Sequence, residues 1–524
     1  MTAKTAPDAN AEMPPFRAIA DLIHDHASVR PDHPALLRDD ESVSYAQLDA
    51  LMDRVAASLQ RDGLGPGDAI ALCAWPSPRY AAIFLGALRA GVAVAPLAPS
   101  VTPGSFAAML GDAGARVLFV DEAATDALGV ARPPDVTLVS LDDSAEGTAF
   151  DAWLLPAGAA PTPATVRPEW PFNIIYSSGT TGQPKGIVQS HAMRWAHVTR
   201  SMNYRYDADS VTLLATPLYS NTTLVTFFPT LAFGGTVVLM GRFDAVRYLA
   251  LAERLRVTHT MLVPVQYQRI MATPGFDAHD LGSFRFKFCT SAPFHAALKA
   301  DVLARWPGGL IEFYGMTEGG GTCILYAHDH PDKLHTVGQA GPGSDIRLID
   351  EDGHELGPGA IGEVVGHSAG MMIGYHGKPE KTREAEWFDA TGKRFIRTGD
   401  VGRFDEDGFL VLLDRRKDMI ISGGFNVYPS DLEAVLRAHP TVDDVAVAGV
   451  PSERWGETPA AWVVLRDGCD AAPDAEALRA WANAQLGKTQ RIATLRFIDA
   501  LPRSAIGKVL KRELRDSASG LPSD

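Results

Sequence analysis

The sequence predicts an α/β fold: a large N-terminal domain of stacked, largely parallel sheets with helices, followed by a small α+β C-terminal domain. Three observations carry this. From about Phe16 to Asp414, short apolar runs alternate with amphipathic stretches of helical length, the rhythm of βα units. Near residue 414 the character changes, where the strand-like FLVLLD meets Arg415-Arg416-Lys417-Asp418. The 524 residues, at about 150 per domain, suggest roughly three to four structural units rather than one.

Taken in order, residues 1–15 carry scattered acids and prolines and read as a flexible tail, not a signal peptide. Residues 16–413 are then expected to form the N-terminal domain and 418–524 the C-terminal domain, with the boundary at 414–417. VTLLATPL, GGTVVLM, HTMLVP, FRFKFCT and GGLIEFYG predict strands, with DAVRYLALAERLRV and AALKADVLARW as helices between them. Ligands are expected in the loops at the carboxyl ends of such strands. Thr223 to Met240 holds no charge, but Pro229, Gly234 and Gly235 interrupt it. A buried helix followed by a buried strand fits those breakers better than a membrane span. The Ala/Pro-rich piece around residues 154–168 reads as a loop. Beyond the boundary, VDDVAVAGV, AAWVVL and RIATLRFID predict strands accompanied by two helices. The first of those helices is expected to open on a capping box of Ser430 and Glu433 after Pro429, with Leu432, Val435 and Leu436 on its apolar face.

Composition narrows the function. With 46% apolar and 21% charged residues the chain is an ordinary globular enzyme or binding protein, neither disordered nor fibrous. Its 48 basic and 63 acidic residues give a net charge of −15, which disfavours nucleic acid as partner. An anionic ligand must therefore be held by a local site, against the sign of the whole. Cys73, Cys289, Cys323 and Cys469 lie far apart without CxxC spacing, so neither a disulfide framework nor a zinc site is indicated, and a cytoplasmic location is expected.

Five segments could carry chemistry. FNIIY runs into Ser177-Ser178-Gly179-Thr180-Thr181-Gly182-Gln183-Pro184-Lys185-Gly186, whose glycines, hydroxyls and lysine suit phosphates, although the spacing is not that of the P-loop. Phe313-Tyr314-Gly315-Met316-Thr317-Glu318 ends a strand with a ring that could stack on a base, a hydroxyl for phosphate and a carboxylate for Mg²⁺. Thr398-Gly399-Asp400 and Asp414-Arg415 offer acceptors for ribose hydroxyls, and Pro502-Arg503-Ser504-Ala505-Ile506-Gly507-Lys508 brings a lysine near the C-terminus. Alone, a polar turn, a core tyrosine, a surface pair and a basic tail would account for each.

Together and in this order, YSSGTTGQPKG, YGMTE, the Gly362–Thr382 segment, TGD, DRRKDMIISGGFNVYPSDLE and PxxxxGK resemble the adenylate-forming superfamily of acyl-CoA synthetases, nonribosomal-peptide adenylation domains and beetle luciferases. The match spans about residues 173–508, and SVSYAQLDALMDRVAASL and GALRAGVAVAPLAP resemble the family's N-terminal part. The resemblance implies an acid–thiol ligase using ATP, Mg²⁺ and CoA as co-substrate, most like a freestanding acyl- or aryl-CoA ligase. Ser177, Thr180, Thr181 and Lys185 would meet the phosphates, with Thr317, and Glu318 would bind the metal. Tyr314, Ser291 and Ala292 would line the adenine site, although the family usually has glycine at Ser291. Asp400 and Arg415 would hold ribose, Lys508 would be the adenylation lysine, and Thr317 would assist it. Lys417 matches the hinge about which the small domain moves, and Gly423 and Gly424 would line the channel for the thiol arm of CoA.

The acid is less legible. Ser220 stands in Thr216-Pro217-Leu218-Tyr219-Ser220-Asn221 where many CoA ligases have histidine, and no aspartate between Ser220 and Gly241 could pair with an amino group. An uncharged aryl or medium acyl acid is expected, with Tyr219, Thr222, Tyr267 and Phe313 around it. From the short stretch after Lys508 no attached carrier domain is expected; loading a separate carrier protein is the alternative to CoA, and a noncatalytic nucleotide-binding relative is the third reading. Self-association as a homodimer is left open by the sequence.

Overall fold

The computed structural model describes residues 14–128, 135–142, 147–177, 184–422, 425–452, 454–466, 474–487, 490–504 and 507–517. The chain divides into two compact units, Met1–Ile346 with Gly366–Ile396, and Arg347–Val365 with Arg397–Asp524.

Two large sheets build the first unit. In the nine-stranded sheet, Pro34–Arg38, Thr236–Leu239, Val211–Leu214, His259–Leu262, Phe286–Cys289 and Gly309–Tyr314 run parallel in that spatial order. Its edges are antiparallel, Glu41–Ser44 on one side and Cys323–Tyr326 then Gln339–Ala340 on the other. The eight-stranded sheet is parallel from Thr148–Ala149 through Thr137–Ser140, Val117–Val120, Ala69–Cys73 and Ala93–Pro96 to Pro171–Ser177. It closes with antiparallel Lys185–Ser190 and Gly374–Tyr375. Parallel strands covered on both faces bury nearly every position and read as near-continuous apolar runs. AVAP, VLFV, TVVL and HTML are accordingly buried throughout.

One apolar core joins the sheets, as the stacked arrangement requires. It unites Leu36 and Val237 of one with Ile70, Val94 and Phe172 of the other through helices Tyr45–Arg61, Pro78–Arg89 and Asn221–Ala232. Pro78–Arg89 starts where the Ser77 hydroxyl accepts the Tyr80 N–H and is buried from Tyr80 through Leu88. A Cβ at Gly86 would lie 2.7 Å from Val55 Cβ and 2.9 Å from Met52 O, so glycine sets the helix separation. The uncharged stretch from Thr223 falls in Asn221–Ala232, with Pro229 inside the helix, and then in the strand Thr236–Leu239. Among the described residues no helix is long and apolar enough to cross a membrane.

In the second unit, Phe425–Val427, Ile420–Ser422, Gly456–Leu465 and Val442–Ser452 form an antiparallel sheet, to which Thr494–Phe497 adds in parallel. Helices Pro429–Arg437 and Ala475–Asn483 bury Leu432, Leu436 and Leu478 against Val445 and Val463. The expected capping box is absent. Pro429, with its fixed φ and missing N–H, takes the first helical position, so Ser430 falls inside the first turn. Its N–H donates to Asp414 Oδ2 at 3.1 Å and its hydroxyl to Leu413 O. Glu433 instead accepts the Val447 N–H at 2.9 Å and pairs with Lys511 at 3.0 Å, which anchors the basic tail.

A buried ion pair ties the first unit's polar interior. Lys299, 1% exposed, faces the Glu312 carboxylate and donates to Leu334 O at 2.9 Å and Thr336 O at 3.0 Å. Burial pushes the Glu312 carboxyl up while Lys299 holds it down. Lys299→Met would strand one buried charge, so urea unfolding is expected to show a loss of about 3–5 kcal/mol. A Lys299→Met/Glu312→Leu double variant should recover most of it; a single variant as stable as the parent would show the pair to be idle.

Candidate active site

The first unit supplies one half of the candidate residues, gathered at the carboxyl ends of parallel strands as α/β architecture dictates. Gly309–Tyr314 ends one such strand, and its alternation puts Glu312 and Tyr314 on one face, Ile311 and Phe313 on the other. Lys185 opens the strand Lys185–Ser190 opposite Ser177. Its ammonium sits 5.2 Å from the centre of the Tyr375 ring. The Tyr375 phenol donates to Glu318 Oε1 at 2.8 Å, and burial together with that carboxylate pushes the phenol pKa up. Lys185 and Glu318, far apart in sequence, thus meet across one tyrosine that lay unremarked in the Gly362–Thr382 segment.

The backbone of Thr317 and Glu318 is held from behind. Gln189 Nε2 donates to Thr317 O at 2.6 Å, and the Met372 N–H donates to Glu318 O at 2.8 Å. Gln189 accepts in turn from Asn173 Nδ2 at 3.0 Å and from Arg194, which also donates to Asn173 Oδ1 at 3.1 and 3.0 Å. These buried polar residues were missed in the sequence. The signal that could have found them is a lone polar side chain inside an apolar strand, Asn173 in FNIIY and Gln189 in GIVQS. The turn after Glu318 is also conditioned: Gly319, Gly320 and Gly321 have φ of 81°, 82° and 98°, and a Cβ at Gly319 would lie 1.9 Å from Gly370 O.

Ser291 has φ 83°, the left-handed region that glycine occupies without strain. This accounts for the family's glycine at that position. Its hydroxyl lies 2.5 Å from Thr222 Oγ1, so a residue expected near adenine meets one expected near the acid. Ala292 beside it is half-buried, as are Tyr314 and Thr317. Burial raises the Tyr219 phenol pKa, while a hydrogen bond with Ser100 lowers it. Tyr267 is fully enclosed, donating to Phe288 O at 2.9 Å and stacking on Phe294 at 5.1 Å, a core position. Phe313 is half-buried, with Tyr204 at 5.7 Å, Phe288 at 5.6 Å and the Arg200 guanidinium 5.5 Å from its ring. Thr180, Thr181, Gly423, Gly424 and the side chain of Ser177 lie outside the described residues.

The second unit brings Asp400, Arg415, Lys417 and Lys508 together. Asp400 and Arg415 are direct cross-strand partners, with Nε to Oδ1 at 3.2 Å. Gly399, at φ 72°, makes the turn, and its carbonyl accepts the Arg416 N–H at 2.8 Å. Lys508 closes a tight loop: Ser504 N–H donates to Lys508 O at 2.8 Å, the Lys508 N–H to Ser504 Oγ at 3.2 Å, and Arg503 to Gly507 O at 2.6 Å. Burial, then Arg415 and Lys417, bring the Lys508 ammonium down to about 8, opposed by Asp400 and Asp418. Lys417 is lowered chiefly by burial as well.

Against these two clusters stand the comparisons with known proteins. The model of the AMP-binding enzyme family matches residues 23–376, and that of the AMP-binding enzyme C-terminal domain matches 431–508. The chain is 33% identical over 514 residues to the fatty acid–[acyl-carrier-protein] ligase ScoC of Streptomyces coeruleorubidus, covering 96% of this chain and 97% of that one. It is 33% identical over 519 residues to an indoleacetate–CoA ligase of Aromatoleum aromaticum, with 95% and 97% covered. The crystal structure of ATP-bound MatB from Rhodopseudomonas palustris superposes with a TM-score of 0.86 at 31% identity, covering 96% and 99%. The chain therefore belongs to the AMP-binding enzyme family, the adenylate-forming superfamily, and within it is most like the acyl- and aryl-CoA ligases. It is an AMP-forming acid–thiol ligase.

The backbone strain at Ser291 makes a prediction about stability. Ser291→Gly relieves a left-handed residue but loses the bond to Thr222, whereas Ser291→Ala loses the bond and keeps the strain. Equilibrium unfolding should rank the glycine variant above the alanine variant by about 1 kcal/mol; the reverse order would show that the loop is unstrained.

Proposed function

We propose that this enzyme is an ATP-dependent carboxylate–CoA ligase. The carboxylate oxygen attacks the α-phosphorus of ATP, pyrophosphate leaves, and the acyl-AMP is then attacked at its carbonyl by the thiol sulfur of CoA. The S–C bond forms as the C–O bond to AMP breaks, and the thiol proton is given up to solvent. A carboxylate and ATP are both anionic, so the first step needs preorganised positive charge where the pentavalent phosphorus forms.

The observation that supports this reading best is the setting of Lys508. A tight loop held by Arg503 and Ser504 presents it among Arg415, Lys417 and Asp400, and its ammonium is brought down to about 8. In this reading Lys508 bridges the carboxylate and α-phosphate oxygens, Asp400 and Arg415 hold the ribose, and Tyr314, Ser291 and Ala292 bound the adenine. Ser177, Thr180, Thr181, Lys185 and Thr317 bind the polyphosphate. The donor chemistry at Glu318 fits Mg²⁺: a hard carboxylate with one oxygen committed to Tyr375 and the other without a partner among the described residues. When bound there, the ion offsets charge on the phosphates. Lys417 serves as the hinge that withdraws Lys508 before the thiol arrives, past Gly423 and Gly424.

Loading a separate carrier protein is the second reading, favoured by the acyl-carrier-protein ligase among the relatives. A pyrophosphate-release screen over aromatic, fatty and dicarboxylic acids, with CoA or a holo-carrier protein as acceptor, separates the two by which thioester accumulates. Release of neither AMP nor pyrophosphate would overturn both.

Lys508→Ala is expected to slow acyl-AMP formation by about two to three orders of magnitude; unchanged pyrophosphate exchange would remove the assignment. Because the charged form acts and its pKa in the free enzyme is about 8, kcat/KM for adenylation should fall as pH rises through that value. ATP binding raises the pKa, so the limb in kcat should lie higher. Lys508→Arg should shift both limbs upward. Lys417→Pro, which fixes φ, should impair thioester formation more than adenylation; equal loss in both half-reactions would count against a hinge there.

A further inference from the structure

Of the four basic side chains of the helix His191–Arg200, three lie on its later turns, Arg194 buried and His197 and Arg200 half-buried. None of them forms an ion pair among the described residues. Arg194, 1% exposed, is bonded only to neutral partners, Asn173, Gln189 and His197, and burial brings it down to about 9. Its Nη1 lies 3.5 Å from His197 Nδ1. Since guanidinium only donates, His197 accepts at Nδ1 and carries its proton on Nε2. Burial and the two flanking arginines push the imidazole well below its ordinary pKa, so it stays neutral with Nε2–H as a donor. That nitrogen has no hydrogen-bond partner among the described residues. A Cβ built at Gly370 would stand 3.5 Å from Ser368 Oγ and 4.0 Å from His197 Nε2, so Gly370, which has no side chain, borders the imidazole edge.

Arg200 completes the feature. Its Nη1 donates to Thr322 Oγ1 at 3.1 Å, and its plane lies over Phe313, one of the residues expected around the acid. The remaining N–H groups have no acceptor among the described residues, and the side chain is half-buried. A structural role would need the stem over the ring and one donor to Thr322. It does not need a charge without a counter-ion beside two further bases. Burying a cation without a counter-ion is costly, so an anion arriving beside it would be held favourably.

We propose that Arg200 and His197 form a subsite for a second carboxylate, so that the preferred acids are dicarboxylic, the far carboxylate held by the Arg200 guanidinium and the His197 Nε2–H. This rests on the ligase reading above and departs from the uncharged acid that the sequence favours. The residues of the Thr216–Asn221 segment carry no charge, but Arg200 comes from the preceding helix. The reacting carboxylate is the less suitable occupant. A bidentate arginine grip would draw electron density from the oxygen that must attack phosphorus, whereas it suits a carboxylate that is held and left unchanged.

Pyrophosphate release with ATP and Mg²⁺ tests this on two matched pairs, adipate against hexanoate and 4-carboxyphenylacetate against phenylacetate. The parent enzyme should favour each diacid by about tenfold or more in kcat/KM. Arg200→Met, which keeps the stem over Phe313, should lower diacid kcat/KM by roughly tenfold to a hundredfold, chiefly through KM. It should leave the monoacids and the KM for ATP within about threefold, and Arg200→Lys should restore part of the diacid preference. Arg200→Gln, which keeps a donor for Thr322, repeats the comparison if thermal unfolding shows the methionine variant to be poorly folded. Monoacids used as well as diacids by the parent, or equal loss on both sets in the variants, would overturn the subsite. If neither set releases pyrophosphate while other acids do, the subsite falls and the ligase reading stands; if no acid does, both fall.

Discussion

Everything in this molecule answers to one electrostatic constraint: a chain of net charge −15 must bring together two reactants that are themselves negative. Coulomb repulsion from the surface as a whole works against that task, so positive charge has to be concentrated locally and kept from being neutralised by the surrounding acids. The two units do this in different ways. In the second, Lys508, Lys417 and Arg415 crowd around Asp400 and Asp418, and burial with mutual repulsion holds Lys508 at about 8. In the first, Arg194 is surrounded by amides instead of carboxylates, which leaves its charge available to the loop it supports through Gln189.

Such charges demand a rigid frame, because a mobile cation finds a counter-ion. The frame comes from backbone detail. Thr317 and Glu318 are pinned at their carbonyls by Gln189 and the Met372 N–H, and the glycines that follow pack where any Cβ would collide. Lys508 is fixed by the Arg503 and Ser504 bonds across its own turn. Ser291 carries the same theme at a cost, accepting a left-handed conformation to place its hydroxyl against Thr222.

The alternation of strands and helices was legible because parallel strands covered on both faces bury nearly every position, and that leaves a near-continuous apolar signature in AVAP, VLFV and TVVL. The uncharged stretch from Thr223 was readable for the same reason, its proline and glycines marking helix and strand limits. The Ser430–Glu433 box was not, since the local pattern S-x-x-E is indifferent to whether proline at 429 has already begun the helix. Tyr267, placed near the acid by its position in the sequence, proved a core residue because its phenol reaches the Phe288 carbonyl, a partner on a neighbouring strand.

The sequence by itself determined which chemistry is present: a hydroxyl- and glycine-rich loop with its lysine, a carboxylate after YGMT, a TGD turn and a lysine near the end, along with the family these compose. Those are properties of short segments, where residue type and spacing act through local geometry. Only the tertiary structure decided which groups meet: Lys185 and Glu318 on either side of Tyr375, Ser291 against Thr222, Arg200 over Phe313, and a basic row without an ion-pair partner among the described residues. Those contacts join residues far apart along the chain, and whether a buried charge finds a counter-ion depends on everything that packs around it.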